Sequence, residues 1–575
     1  MRSDSKQKTP RQARWARGPL ALGALVLSLA CAGASAQVIP DAGSVLRDVA
    51  PQQPTRPPAA PAVSPLPAAP AVPAQPAAAD EAAFTLRSVS FSGNTVFSSV
   101  ELAALAADSI GRQVGFNDLE RIRQRITDRY REAGYPLAQA VLPVQDVTAG
   151  AVEFSIAEGR LGRIRLSVAP GAPIDAKRLE PFLARLEPGK PIRQRDLEGA
   201  LMLISDLPGI SVQSALEQGV EGGTADLIVE VGPARRVDFA IDADNYGLYS
   251  TGEPRIGATL RINGPFALGD NLDLRVINSA ANGLVFGRVG YELPVGGLGT
   301  RLGVAYGQLH YRLGKEFAAL DSFGSAKVLE IGLTHPLLRS RARNLVGRLG
   351  YLDKRLDDQI GAAGFRSEQR IALGVLGLAY EGRDAVLGGG YSAAALSAYV
   401  GNLDLRNPEL LAADQAPGGP HTDGGFVHLN YQLSRLQAIT PRTSAFVGLA
   451  GQWASQNLAS AEKIALGGPS AVRAYPVSEG VVDEGAVVNG ELRFSATEKV
   501  TLSGFYDAGW GRFLKDPLPD QGVNTRTLRG YGLGLYWSAP YDFFLRGSVA
   551  WRDSGPALTA PDRTPRVYLQ VTRTF

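Results

Sequence analysis

The sequence predicts two small α+β domains followed by a transmembrane antiparallel β-barrel of about sixteen strands. Three observations carry this expectation. Helical periodicity occurs twice between residues 84 and 232, each time in the order strand, helix, helix, strand, strand; it disappears after Arg235; and from there to Phe575 apolar and polar residues alternate with a period of two.

The first 36 residues hold a basic stretch (Arg2, Lys6, Lys8, Arg11, Arg14, Arg17), an apolar run from Leu20 to Ala30 and the triplet Ala34-Ser35-Ala36. This pattern predicts a cleaved export signal over 1–36. Cys31, the only cysteine, lies inside it, where removal with the signal and attachment of a lipid are both readings of the same residue. The segment 37–83 combines a short helical candidate near Asp41–Val49, read as either a docked helix or a loose tail, with a run of Pro and Ala from Pro51 to Pro76. Such a run favours extended polyproline conformation and cannot bury a core.

Residues 84–159 form the first predicted domain. Its long helix is marked by Leu119, Ile122, Ile126, Tyr130 and Ala133 at spacings of three and four, by Asn117 as expected N-cap with Glu120 completing a capping box, and by Gly134-Tyr135-Pro136 as the stop. Residues 160–232 repeat the pattern, with helices expected near 175–184 and 195–206, the latter stopped by Pro208-Gly209. Both units close on a similar phrase, Glu158-Gly159 and Glu230-Val231-Gly232.

No segment after the signal has the roughly 18 apolar residues of a membrane helix, so a membrane crossing here requires a closed barrel. In the span 235–575, Val567, Leu569, Val571 and Phe575 share one face and Tyr568, Gln570, Thr572 and Thr574 the other. Val488–Phe494 and Val500–Tyr506 alternate in the same way, with polar groups on one face only. A soluble β-sandwich also alternates. Against it stand the length of the segment, the aromatics near strand ends (Trp510, Trp537, Trp551) and a terminal Phe after a strand.

Lys plus Arg (59) nearly balances Asp plus Glu (56), which gives no reason to expect a nucleic-acid partner. There is no phosphate cradle GxxxxGK[ST], no GxSxG elbow and no HExxH, and His310, His335, His421 and His428 do not form a ligand spacing. No enzyme activity, metal or cofactor is expected.

The informative stretch is Gly467-Gly468-Pro469-Ser470-Ala471-Val472-Arg473-Ala474-Tyr475-Pro476. It resembles the Val-Arg-Gly-Tyr phrase of a barrel loop folded into the lumen in the two-partner secretion outer-membrane transporters, of the haemolysin-activator and filamentous-haemagglutinin-secretor type. Ala474 stands where that family has glycine. The family's second motif, aromatic-Asp-x-Gly, resembles Tyr506-Asp507-Ala508-Gly509. Strand alternation independently turns Asp507 inward, because a charge on the lipid face costs more than one in the lumen. Arg473 reaching Asp507 would pin the loop; the competing reading is a solvated loop arginine. The two α+β units resemble polypeptide-transport-associated (POTRA) domains, with Phe91-Ser92-Gly93-Asn94 matching their opening phrase and Glu158-Gly159 their close.

The resemblance implies an outer-membrane protein with both POTRA domains in the periplasm. It would capture a large unfolded exoprotein carrying its own N-terminal secretion domain and translocate it without nucleotide hydrolysis, with outer-membrane lipid as its surroundings. The rival readings are a factor that assembles other barrels, which shares the architecture, and a solute porin, which leaves the repeats and the Arg473 and Asp507 motifs unexplained.

Overall fold

The computed structural model describes residues 39–49, 83–519 and 522–575. The expected export signal and the body of the Pro/Ala-rich run lie outside the described residues.

The first domain's long helix spans Phe116–Glu132 and buries Leu119, Ile122, Ile126 and Tyr130, the stripe that the spacing predicts. Its start differs from the expected one. Gly115 is the N-cap, and the Asp118 carboxylate accepts from Gly115 N at 2.9 Å, while Glu120 pairs with Arg123. A glycine cap leaves no side-chain signal, so the neighbouring Asn117 and Glu120 imitate one. Strand Ser88–Ser92 runs parallel to Ala151–Ala157, which pairs antiparallel with Gln139–Val141. The second domain repeats this topology: Arg160–Val168 is parallel to Thr224–Pro233, and Ile210–Gln218 is antiparallel to it, under helices Ala176–Leu183 and Gln194–Ser205. In both sheets the last strand in sequence is central. The long helix covers the outer edge of Gln139–Val141, where Ala140 N donates to Thr127 Oγ1 and Ala140 O accepts from Arg123, and residues 189–191 pair with the start of Arg160–Val168. The closing phrases are not equivalent: Glu158 is buried just past its strand, whereas Glu230 is exposed within one.

Sixteen strands among the described residues close into one antiparallel barrel, with the first (Val237–Asp244) paired to the last (Arg566–Thr574). Closure without a free edge rules out the sandwich. In the thirteenth strand (Val500–Arg512), Leu502, Tyr506 and Trp510 are exposed on the outer wall while Ser503, Phe505 and Asp507 are buried inward. Strands lengthen from 8 residues at the closure to 20 in the eighth, Phe365–Asp384. At the closure only Ala240–Asp244 and Gln570–Thr574 form the ladder. The Asn245 side chain extends it, donating to Val567 O and accepting from Leu569 N, both at 2.9 Å.

The second domain meets the turns at one rim: Arg339 donates to both oxygens of Asp206, at 2.7 and 2.6 Å. The helical candidate near Asp41 is a helix, Ala42–Val49, docked in the lumen, where Val45 and Leu46 join a cluster with the inward wall residues Leu309, Tyr311, Val328 and Leu356.

Candidate functional site

The eleventh strand (Thr443–Ala454) and the twelfth (Glu484–Ser495) are joined at the rim away from the α+β domains by a long connection, 455–483. A two-residue ladder, Ile464–Ala465 with Val481–Val482, makes it a hairpin that turns back on itself. Its tip carries Val472, Arg473, Ala474 and Tyr475, all at most 4 % exposed. A loop tip so deeply buried needs partners for its polar groups, and the barrel wall supplies them.

Arg473 is the centre. Its backbone N, Nε and Nη2 donate to the Asp507 carboxylate at 3.1, 2.8 and 2.7 Å, and Nη1 donates to Glu491 of the twelfth strand. The guanidinium lies over the Phe505 ring, with its carbon 3.4 Å from the centroid. Arg493 Nε donates to the other oxygen of Glu491 at 2.7 Å, so the buried Arg473 and the partly exposed Arg493 face two buried carboxylates. Asn489 bridges Ala471 O and Asp507 Oδ1, at 2.9 and 2.8 Å. Glu491 is absent from the motif reading. Its signal is the alternation over Val488–Phe494, which puts Asn489, Glu491 and Arg493 on the face turned inward.

The neighbours of the tip explain its small residues. A Cβ on Gly509 would stand 3.1 Å from Val472 Cγ2, so a bare backbone there lets the loop lie against the wall. Ala474 in place of glycine does not disturb the turn, because its φ is not positive and Gly530 on the facing strand provides the space: a Cβ there would stand 2.3 Å from Ala474 Cβ. Tyr475 O accepts from Tyr568 OH of the last strand at 2.7 Å, tying the tip to the closing strand.

The lumen helix holds the same loop on both sides of the tip. Ser460 Oγ donates to Asp41 at 2.6 Å, Arg47 donates to Ser460 O at 3.0 Å and to Ser478 Oγ at 2.7 Å, and Ser478 Oγ donates to Asp48 at 2.7 Å. The loop's Glu462, buried, faces Lys354 Nζ at 2.6 Å and His428 Nε2 at 3.4 Å.

The POTRA-phrase residues lie far from this site and hold their own domain. Glu158 accepts from Thr95 N at 2.6 Å, Val96 N at 2.8 Å, Tyr130 OH at 3.1 Å and Thr95 Oγ1. Burial opposes its ionisation, but the bonds from Thr95, Val96 and Tyr130 outweigh it and hold the carboxyl below the ordinary glutamate range. Gly93 (φ 80°) and Gly159 (φ 68°) adopt the left-handed conformation, with Ile156 O and Leu137 respectively where a side chain would begin. Asn94 Nδ2 caps Phe97 O at 2.8 Å, and Phe91 stacks on Phe154. Among the described residues, no group of three or more His, Cys, Asp or Glu side chains is placed to hold a metal ion.

Paired POTRA-type domains on a sixteen-strand barrel, with a loop pinned inside by arginine and carboxylate, define an outer-membrane polypeptide transporter whose POTRA domains face the periplasm. The model of the POTRA domain, ShlB-type, matches residues 84–159, and that of the haemolysin secretion/activation protein ShlB/FhaC/HecB matches residues 223–537. The chain belongs to this haemolysin secretion/activation family, the outer-membrane transporters of two-partner secretion. It is 30% identical over 463 residues to the heme/hemopexin transporter protein HuxB of Haemophilus influenzae (strain 86-028NP), covering 78% of this chain and 80% of that protein. It is 26% identical over 481 residues to the outer membrane transporter CdiB of Escherichia coli, covering 79% and 76%. The solved structure of CdiB from Escherichia coli superposes with a TM-score of 0.70 at 23% identity, over 88% of this chain and 93% of that one, and shows the same fold.

Proposed function

We propose that this chain captures a large unfolded exoprotein, with its own N-terminal secretion domain, in the periplasm and passes it through the barrel lumen, using no enzymatic chemistry and no nucleotide. The observation that carries this reading is the lumen: a pinned loop and a docked helix occupy the path, which suits a conduit opened by its cargo better than a permanently open solute pore. The outer sheet edges at Ser88–Ser92, 164–168 and Ile210–Gln218 suit capture, since an extended chain adds there through main-chain bonds with little demand on its sequence. The names of the relatives, heme/hemopexin transporter and outer membrane transporter, support transport as the activity. Folding of the cargo outside supplies the direction. The outward residues Leu502, Trp510 and Leu533 suit contact with outer-membrane lipid, and the near-balance of charge gives no reason to expect a nucleic-acid partner.

The test is co-expression with a large exported protein that carries an N-terminal secretion domain, sought among the neighbouring genes, comparing its export by the full chain with export by a chain lacking residues 84–159. Loss of cargo from the medium with the barrel still in the membrane supports capture by the first domain. Unchanged export sinks that role, and failure of other barrels to assemble with cargo unaffected would favour the assembly-factor reading.

A further inference from the structure

Glu479 lies three residues beyond Pro476 in the lumen loop and is 1 % exposed. Its side-chain bonds reach outside its own loop. Arg526 Nη2 of the fourteenth strand (Thr525–Ser538) donates to Oε1 at 2.7 Å. On Oε2 it accepts from Leu558 N at 2.9 Å, Thr559 N at 3.0 Å and Thr559 Oγ1 at 2.9 Å, all in the surface connection 553–565 between the last two strands. Arg526 Nη2 also donates to Pro556 O at 2.6 Å, so cation and carboxylate grip the same stretch. A carboxylate this deeply buried is costly unless its lone pairs are matched, and here a loop and a strand distant in sequence match them. Tyr475 adds a second tether, its hydroxyl lying 2.7 Å from both Ser554 Oγ and Gly555 O. Ala557 packs against the cluster formed by the loop tip.

We propose that Glu479 is a positioning residue that ties the lumen loop to the last surface connection, so that the two close the outer mouth of the barrel as one body and move together when cargo passes. This rests on the reading of the lumen as the path of the cargo. It differs from a local staple of the surface connection in one respect: a disturbance at the inner anchor of the loop is felt at 553–565. Arg473 transmits it, since its side-chain partners Asp507 and Glu491 are on the wall strands.

The test places cysteine at Ala557 in the full chain, in intact cells, and follows the rate of labelling by a membrane-impermeant maleimide, with the parent chain as the blank for Cys31, the only cysteine. Heat-modifiable migration of the barrel serves as the folding check. Labelling is expected to rise about fivefold or more in Glu479→Gln, the loss of one net hydrogen bond, and by a similar factor in Arg473→Ala. Unchanged labelling in Glu479→Gln overturns the tether. A rise in Glu479→Gln without one in Arg473→Ala overturns the one-body coupling and leaves Glu479 a local staple. If Glu479→Gln does not fold, Thr559→Val, which removes one donor from the surface side, is judged by the same criteria. Labelling requires no cargo, so failure of the transport reading and failure of this coupling are separately visible.

Discussion

Arg473 gives Asp507 three hydrogen bonds, one from its backbone and two from its guanidinium, so the carboxylate fixes both the position of the loop and the direction of the side chain. Asp507 is fully buried, and Glu491 takes the remaining arm of the guanidinium. Removing the arginine leaves two buried carboxylates facing each other, with the neutral Asn489 on Asp507 and Arg493 on Glu491, a loss on the order of 3–5 kcal/mol.

Arg473→Ala is therefore expected to lower export of the cargo about tenfold or more with barrel levels kept, measured by immunoblot of the medium and of the outer membrane. Arg473→Lys should rescue only part of it, because a single ammonium cannot reproduce the planar fork. Wild-type export from Arg473→Ala would show that the pinned loop is not used.

Gly530 and Ala474 compete for the same space, a Cβ on the former meeting that of the latter at 2.3 Å. Gly530→Ala should push the loop tip off the wall and lower export, and the added change Ala474→Gly should restore part of it, since the new Cβ also meets Trp551 O at 2.9 Å. A pair no better than the single variant would contradict the packing described.

The lumen helix packs at Gly43 so closely that a Cβ would stand 2.4 Å from Ser460 Oγ and 2.8 Å from Ala461 N. Gly43→Leu is expected to drive the helix from the lumen and raise the mean conductance of the purified protein in planar bilayers about twofold or more, since side chains cannot be added to a filled site without displacement. Equal conductance would place the barrier elsewhere.

Glu158 provides a pH prediction. Its folded-state pKa lies below the ordinary glutamate value, so the stability it contributes is present above that value and is lost as pH falls through the lowered folded one. Hydrogen exchange at residues 93–98 in the detergent-solubilised full chain, corrected for the intrinsic rate, should show protection falling across that acid window. Glu158→Gln should exchange about tenfold faster at neutral pH and lose the acid dependence, because Gln cannot satisfy all four donors with a charge. An acid dependence kept in Glu158→Gln would assign it to another group.

Much of this architecture is legible in the chain. The stripe Leu119, Ile122, Ile126 and Tyr130 announces a helix with one buried face, and the alternation over Val500–Tyr506 and Val567–Phe575 announces strands with one wet and one lipid-facing side, because both periods are set by local backbone geometry. The same alternation turns Asp507 inward. Where a local signal is silent or ambiguous, it misleads: Gly115 caps a helix without a side chain, and Glu230 copies the phrase of Glu158 without its burial.

The sequence by itself determined the order of the parts, the period of each element and the side of the wall on which each polar group stands. Only the tertiary structure decided which of those groups meet. Glu491 joins Arg473 because strands twelve and thirteen pair in one register, Gly530 makes room for Ala474 on the strand beside Asp507, and the helix Ala42–Val49 finds Ser460 and Ser478 more than four hundred residues away in the chain. Such contacts depend on closure of the barrel, a long-range constraint to which no window of neighbouring residues is sensitive.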